Sequence, residues 1–158
     1  MKNGILLFLL TTLLQSCISA YKIYPVTDRK LKDIPEKDVV FISNKDSFPK
    51  AYKVLKHANI YTFTNDSLNT NQIKLHKLEK TTWFCGQPML GSMITFGQLP
   101  VQFPDKYRYT FDIMKRGRTE THSYDIEVHQ SLWFWNIFSN KKNFKKQIGI
   151  AVAAKYAE

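Results

Sequence analysis

The stretch YRYTFDIMKRGRTETHSYDIEVHQ, residues 107–130, decides the fold. Tyr107, Tyr109, Phe111 and Ile113 alternate with Arg108, Thr110, Asp112 and Met114. Beyond Gly117, Tyr124, Ile126 and Val128 alternate with Asp125, Glu127 and His129. A period of two sends neighbouring side chains to opposite faces, so each run reads as a half-buried strand. The glycine between them marks a tight antiparallel turn. A two-residue loop at Gly117-Arg118 sets Arg116 opposite Thr119, Tyr109 opposite Ile126 and Arg108 opposite Glu127. Apolar then meets apolar on one face, and opposite charges meet on the other. A slip of one residue would destroy both matches.

Working outward, the C-terminal side continues into Leu132-Trp133-Phe134-Trp135 and Ile137-Phe138, followed by Lys141, Lys142, Lys145 and Lys146. Phe144, Ile148, Ala151, Val152 and Tyr156 give these last residues a helical stripe. Lysines at a helix start oppose the backbone dipole, which points to a role other than helix stability. On the N-terminal side, Met89 to Val101 is weakly polar and interrupted by Gly97 and Pro100, an irregular strand with a bulge at Gly97. Thr81 to Pro88 follows no period. Ile73 and Leu75 alternate with Lys74 and His76, a third strand. Residues 39–64 read as strand, helix, strand. Val39 to Ile42 is a buried run, and Ile60 to Thr64 is a second strand. Between them Phe48, Ala51, Tyr52 and Leu55 fall at i, i+3, i+4 and i+7, with Ser47 as N-cap, Pro49 in the first turn and Asn59 as the stop. The expectation is an α+β fold: a twisted, mainly antiparallel sheet packed by two helices near residues 47–58 and 141–157.

The N-terminus carries an address. Lys2 supplies a positive charge, Gly4 to Leu14 is apolar apart from Thr11 and Thr12, and Ser16 precedes Cys17. This is the grammar of an export signal. Its apolar core is shorter than the roughly 20 residues of a spanning helix. Leu14-Gln15-Ser16-Cys17 resembles the lipobox of bacterial lipoproteins, with Gln15 in place of a small or aliphatic residue. The resemblance implies cleavage before Cys17, acylation of Cys17 with palmitate-type chains, and anchoring in the cell envelope. In proteobacterial sorting, Ile18 after the cysteine fits release to the outer membrane, facing the periplasm. Thr95, Gly97, Pro100, the hairpin, Trp133 and Trp135 also resemble a loose pattern in small envelope lipoproteins of no assigned activity. The organisation expected is a signal peptide over 1–16, a lipidated tether over 17–37 that contains Pro25 and Pro35, and one domain over 38–158. A chain of this size buries roughly 68% of its unfolded surface and needs no disulfide.

Composition narrows the function. Lys and Arg number 23 against 13 Asp and Glu, for a net charge of +10, of which Lys2 contributes one. Such an excess favours anionic partners: membrane lipid, lipopolysaccharide or another acidic polymer. Export and the lack of zinc-finger spacing, RNP-type aromatics or a Gly-rich phosphate loop exclude nucleic acid. His57, His76, His122 and His129 lack metal-site spacing, and His122 and His129 face opposite ways on one strand. No cofactor or metal is expected. Cys85, the second of two cysteines, reads as a buried thiol. The enzyme alternative, a Cys85-dependent cell-wall hydrolase, would need a helix N-terminus or imidazolium beside it. The favoured expectation is a non-enzymatic envelope protein. It would be anchored through Cys17 and touch a membrane or an envelope protein through Trp133, Trp135, Lys141, Lys142, Lys145 and Lys146, since Trp suits the lipid boundary and Lys suits anionic headgroups. The competing reading of these aromatics is that they fill the core under the last helix. An immunity protein or inhibitor of an envelope-targeting toxin is a further alternative.

Overall fold

The computed structural model describes residues 18–24, 37–81, 101–133, 136, 138–139 and 143–157. The strands are β1 (Ile18–Tyr24), β2 (Val39–Ile42), β3 (Thr62–Thr64), β4 (Gln72–Leu75), β5 (Glu79–Lys80), β6 (Val101–Lys115) and β7 (Arg118–Trp133), and the helices are α1 (Pro49–Ala58) and α2 (Phe144–Tyr156). The strands form one sheet in the order β1-β7-β6-β4-β2-β3, with β5 beside β6. β2 runs parallel to β3 and β4, and the other pairs are antiparallel. This is the expected α+β fold with a strongly curled, mostly antiparallel sheet.

The β6–β7 hairpin is the spine, but its register differs from the expectation by two residues. Lys115 pairs with Arg118, so the loop is Arg116-Gly117; Tyr109 faces Tyr124, and Arg108 faces Asp125 rather than Glu127. Both loop residues have positive φ, 49° at Arg116 and 77° at Gly117. A two-residue hairpin loop of the primed type needs that geometry at both central positions, and glycine supplies the second without strain. A shift of two preserves which side chains share a face, so the inward set survives: Tyr109, Phe111, Ile113, Ile126 and Val128 are all buried.

The helices cover this inward face. Val40 and Ile42 of β2, Ile73 and Leu75 of β4, and Ala51, Val54, Leu55, Ile148 and Val152 of the helices complete the core. α1 begins at Pro49, with Phe48 rather than Ser47 as N-cap and no side-chain cap. A proline disfavours the helical region for the residue before it, so the helix does not start earlier. Asn59 closes α1 in the left-handed region, its N–H donating to the Leu55 carbonyl. α2 starts behind Asn143, whose side chain accepts from the Lys146 N–H. The helices cross at Gly149, where an added Cβ would lie 2.7 Å from His57 Cβ and 2.8 Å from backbone atoms of Ala58 and Val54. Tyr109 ties sheet to helix by donating its hydroxyl to the Ala51 carbonyl at 3.1 Å.

The tether reading differs from the structure at its start. Residues 18–24 are strand β1, paired along β7 from Ile18 opposite Trp133 to Tyr24 opposite Glu127. Ser19, Tyr21 and Ile23 share the inward face with Gln130 and Val128, by the same alternation that governs β7. Residues 25–36 lie outside the described residues. So do the irregular strand expected before Val101, Cys85 and the export signal. Among the described residues, no helix is long and apolar enough to cross a membrane.

Candidate functional site

Strand alternation and pairing assemble one end of the molecule. Ile18 opens β1, and its partner Trp133 closes β7. Trp133 shares a face with Ser131, His129 and Glu127, the face opposite the one that carries Val128 and Ile126. It therefore lies on the side of the sheet away from α2, half-buried. Past it, Asn136 is 9% exposed and donates its amide to the Ser131 carbonyl at 2.8 Å, while Phe138 is 79% exposed. On the other side of the sheet, Phe144 in the first turn of α2 packs its ring 5.2 Å from Tyr21 and 5.0 Å from Tyr107. The contact with Tyr21 brings Lys145 and Lys146 to the strand that follows Cys17. Lys146 is exposed and Lys145 half-buried.

Of the residues singled out from sequence, Trp133, Lys145 and Lys146 therefore share the β1 end of the fold. Cys17, Trp135, Lys141 and Lys142 lie outside the described residues. Three residues of this end carried no separate weight in the sequence. Phe138 sits in a run of aromatics that gives no sign which ring is exposed. Tyr21 and Phe144 meet across more than a hundred residues of chain.

The outward sheet face is polar and internally paired. Arg108 Nε lies 2.9 Å from Asp125 Oδ1, His76 Nε2 lies 2.8 Å from Asp112 Oδ2, and His129 Nε2 lies 2.9 Å from Glu127 Oε1. Thr121 donates its hydroxyl to Asp112 at 2.8 Å. The hydrogen bond from His76, then that from Thr121, hold the Asp112 carboxyl below the usual carboxylate range. Arg108 does the same for Asp125, and His129 for Glu127. The His76, Arg108 and Thr121 bonds join neighbouring strands and fasten a wet sheet face, whereas His129–Glu127 lies within β7. A groove of about 380 Å³ runs over it, lined by Lys106, Arg108, Asp125, Glu127 and Lys155 among others. Lys155 reaches from α2 to donate to the Asp125 carbonyl at 2.7 Å.

On the inward face, Lys80 Nζ lies 2.7 Å from Asp105 Oδ1, and Asp105 is buried. Tyr107 donates to the same carboxylate at 3.4 Å. Burial, then the charge of Asp105, pushes its hydroxyl up to about 12. His122 stacks on Phe111 and Tyr124, at ring separations of 5.2 Å and 6.4 Å. The opposite facing of His122 and His129 follows from the strand they share. Among the described residues, no group of three or more His, Cys, Asp or Glu could hold a metal ion.

No family model matches this chain, and no curated protein matches it. Among solved structures, a minor lipoprotein from Acinetobacter baumannii is similar to it at 12% identity, over 77% of this chain and 88% of that one, with a TM-score of 0.40.

Proposed function

We propose that this chain is a lipid-anchored component of the bacterial cell envelope, held through an acylated Cys17 and acting by binding rather than by catalysis. The observation that carries this reading is a join. The lipobox cysteine is followed at once by β1, and the first residue of β1 pairs with Trp133. Consecutive Cα atoms are about 3.8 Å apart, so a lipid on Cys17 emerges from the domain itself. Trp133 and the lysines that open α2 share that end. An acyl chain with a polybasic patch holds a membrane better than the chain alone. The Trp and Lys residues at this end would therefore add contacts with headgroups to those made by the lipid. Outer-membrane residence facing the periplasm is the sorting that Ile18 favours.

The test is intact-mass and fragment mass spectrometry of the protein purified from a bacterial host. The expected product begins at Cys17 and carries acyl mass, and Cys17→Ser moves the protein from the membrane to the soluble fraction. A mature chain that starts at Met1, or beyond residue 20 without acyl mass, removes the anchor and the reading with it.

A further inference from the structure

Charge in this domain is sorted by layer. α1 is PKAYKVLKHA and α2 is FKKQIGIAVAAKY; neither contains an acidic residue. Every carboxylate among the described residues sits on a strand or a loop. In the sheet, Arg108–Asp125, Lys115–Asp38 and Lys80–Asp105 are paired, and Lys74 and Lys106 lie in the field of Asp112 and Glu127. Among the described residues, no carboxylate pairs with Lys50, Lys53, Lys56, Lys145 or Lys146.

The lysines also point the right way. α1 buries Ala51, Val54, Leu55 and Ala58. At about 100° per residue, Lys53 and Lys56 straddle the direction opposite that set, away from the sheet. All three α1 lysines are exposed. α2 contributes a different property: residues 147–154 carry no charge, and Ile150 and Ala154, one turn apart, are apolar positions it leaves half-buried. The close crossing at Gly149 sets the two helices side by side. The outer surface of the helix layer is thus uncharged along α2, from Gln147 through Ile150 to Ala154, with Lys146 at its start and the α1 lysines alongside. A lysine-rimmed, uncharged surface of this kind suits an anionic headgroup layer.

From this surface we infer that the α1–α2 layer lies against an anionic phospholipid bilayer, with the sheet face turned away from it. The inference rests on the anchored reading given above and adds an orientation to it. β1 leaves no slack between Cys17 and the fold, and α2 starts against Tyr21, four residues along from Cys17. The layer therefore begins beside the lipid and extends from it. Each lysine near an anionic surface strengthens binding roughly fivefold at low salt. In this orientation Trp133, on the opposite face of the sheet, is turned away from the bilayer, so the lysines rather than the tryptophan make the headgroup contacts.

The full-length lipidated protein, reconstituted in vesicles of phosphatidylethanolamine with phosphatidylglycerol or of neutral phosphatidylcholine, provides the test. Lysines are labelled with an amine-reactive reagent and read by mass spectrometry. The expected result is labelling of Lys53, Lys56 and Lys146 reduced at least about fivefold on anionic vesicles, with Lys74 and Lys106 unchanged. High salt should abolish the difference. Lys53→Glu/Lys56→Glu should remove the protection at Lys146 while leaving the protein attached by its lipid. Equal labelling on both vesicles overturns the orientation and leaves the anchor standing; the layer would then be open to an acidic protein. Protection of Lys145 and Lys146 without Lys53 and Lys56 also overturns it, in favour of end-on contact. If the purified chain lacks acyl mass yet is protected when mixed with anionic vesicles, the surface assignment holds and the anchor falls.

Discussion

Replacing Gly149 by alanine tests the helix pair on which the outer surface depends. Two effects oppose each other. Alanine is favoured over glycine within a helix by about 1 kcal/mol. Against this, the new Cβ would stand 2.7 Å from His57 Cβ and 2.8 Å from Ala58 N and Val54 O, where ordinary contact begins at 3.4 Å. Two of those three neighbours are backbone atoms, so no side chain can swing aside. The helices must part by about 0.6 Å, and a gap of that size forfeits a quarter to a half of each affected dispersion contact. Insertion into a packed interface costs about 1–3 kcal/mol. With backbone atoms among the neighbours the cost falls in the upper part of that range, about 2–3 kcal/mol, so the expected net loss is about 1–2 kcal/mol, or roughly 3–8 °C in Tm for a domain of this size. The assay is urea unfolding followed by far-ultraviolet circular dichroism, on protein beginning at residue 17 with Cys17→Ser. The midpoint should fall with the slope unchanged. A midpoint equal to or above that of the parent would refute the close crossing and the side-by-side layer drawn from it.

Three further outcomes follow from the same geometry. A double-mutant cycle on Arg108 and Asp125 should show measurable coupling, and one on Arg108 and Glu127 none, because Arg108 faces Asp125 in the hairpin; the reverse result would restore the register expected from sequence. Asp112, Asp125 and Glu127 have folded-state values below their ordinary ones. Their contribution is therefore complete above the unfolded carboxylate range, near 4, and is lost as pH falls through the folded values. Urea midpoints should drop in that acidic window, less steeply in Asp112→Asn; an equal slope would show that Asp112 gains nothing from His76 and Thr121. Finally, Lys145→Gln/Lys146→Gln should stabilise α2 by about 0.3–1 kcal/mol per charge removed from its N-terminus, while weakening salt-dependent binding to phosphatidylglycerol vesicles; a drop in stability would give these lysines a structural role.

The parts of the fold legible in the sequence were those where a period survives over several residues. Tyr107 to Ile113 and Tyr124 to Val128 alternate cleanly, and α1 shows its stripe between a proline and an asparagine. Register was less legible. Moving the loop from Gly117-Arg118 to Arg116-Gly117 keeps every side chain on its face, so apolar matching cannot distinguish the two. In the observed loop Gly117 takes the second central position of a primed turn, and the positive φ of the first falls on Arg116, where sequence gives little warning. At the candidate site, Trp133, Lys145 and Lys146 were visible as residue types but not as neighbours. Their common location depends on β1, whose partner strand lies more than a hundred residues away.

That strand changes what an anchor at Cys17 would do. A flexible linker of 20 residues has an end-to-end distance of roughly 25 Å and leaves the orientation of its domain free. Here the segment that would have been linker is zipped to β7 over seven residue pairs, beginning with Ile18 and Trp133. Releasing it would break those pairs and lift Tyr21 from Phe144. With the lipid on Cys17 as proposed, one edge of the sheet is fixed to the bilayer and the domain can only pivot about it. A pivoting body settles on whichever side has the stronger attraction to anionic headgroups. The sheet side offers Arg108 paired with Asp125, and Lys74 and Lys106 in the field of Asp112, Asp125 and Glu127. The helix side offers lysines with no acidic residue on either helix. With that anchor, the direct join at Ile18 would allow a modest difference in surface charge to select one orientation.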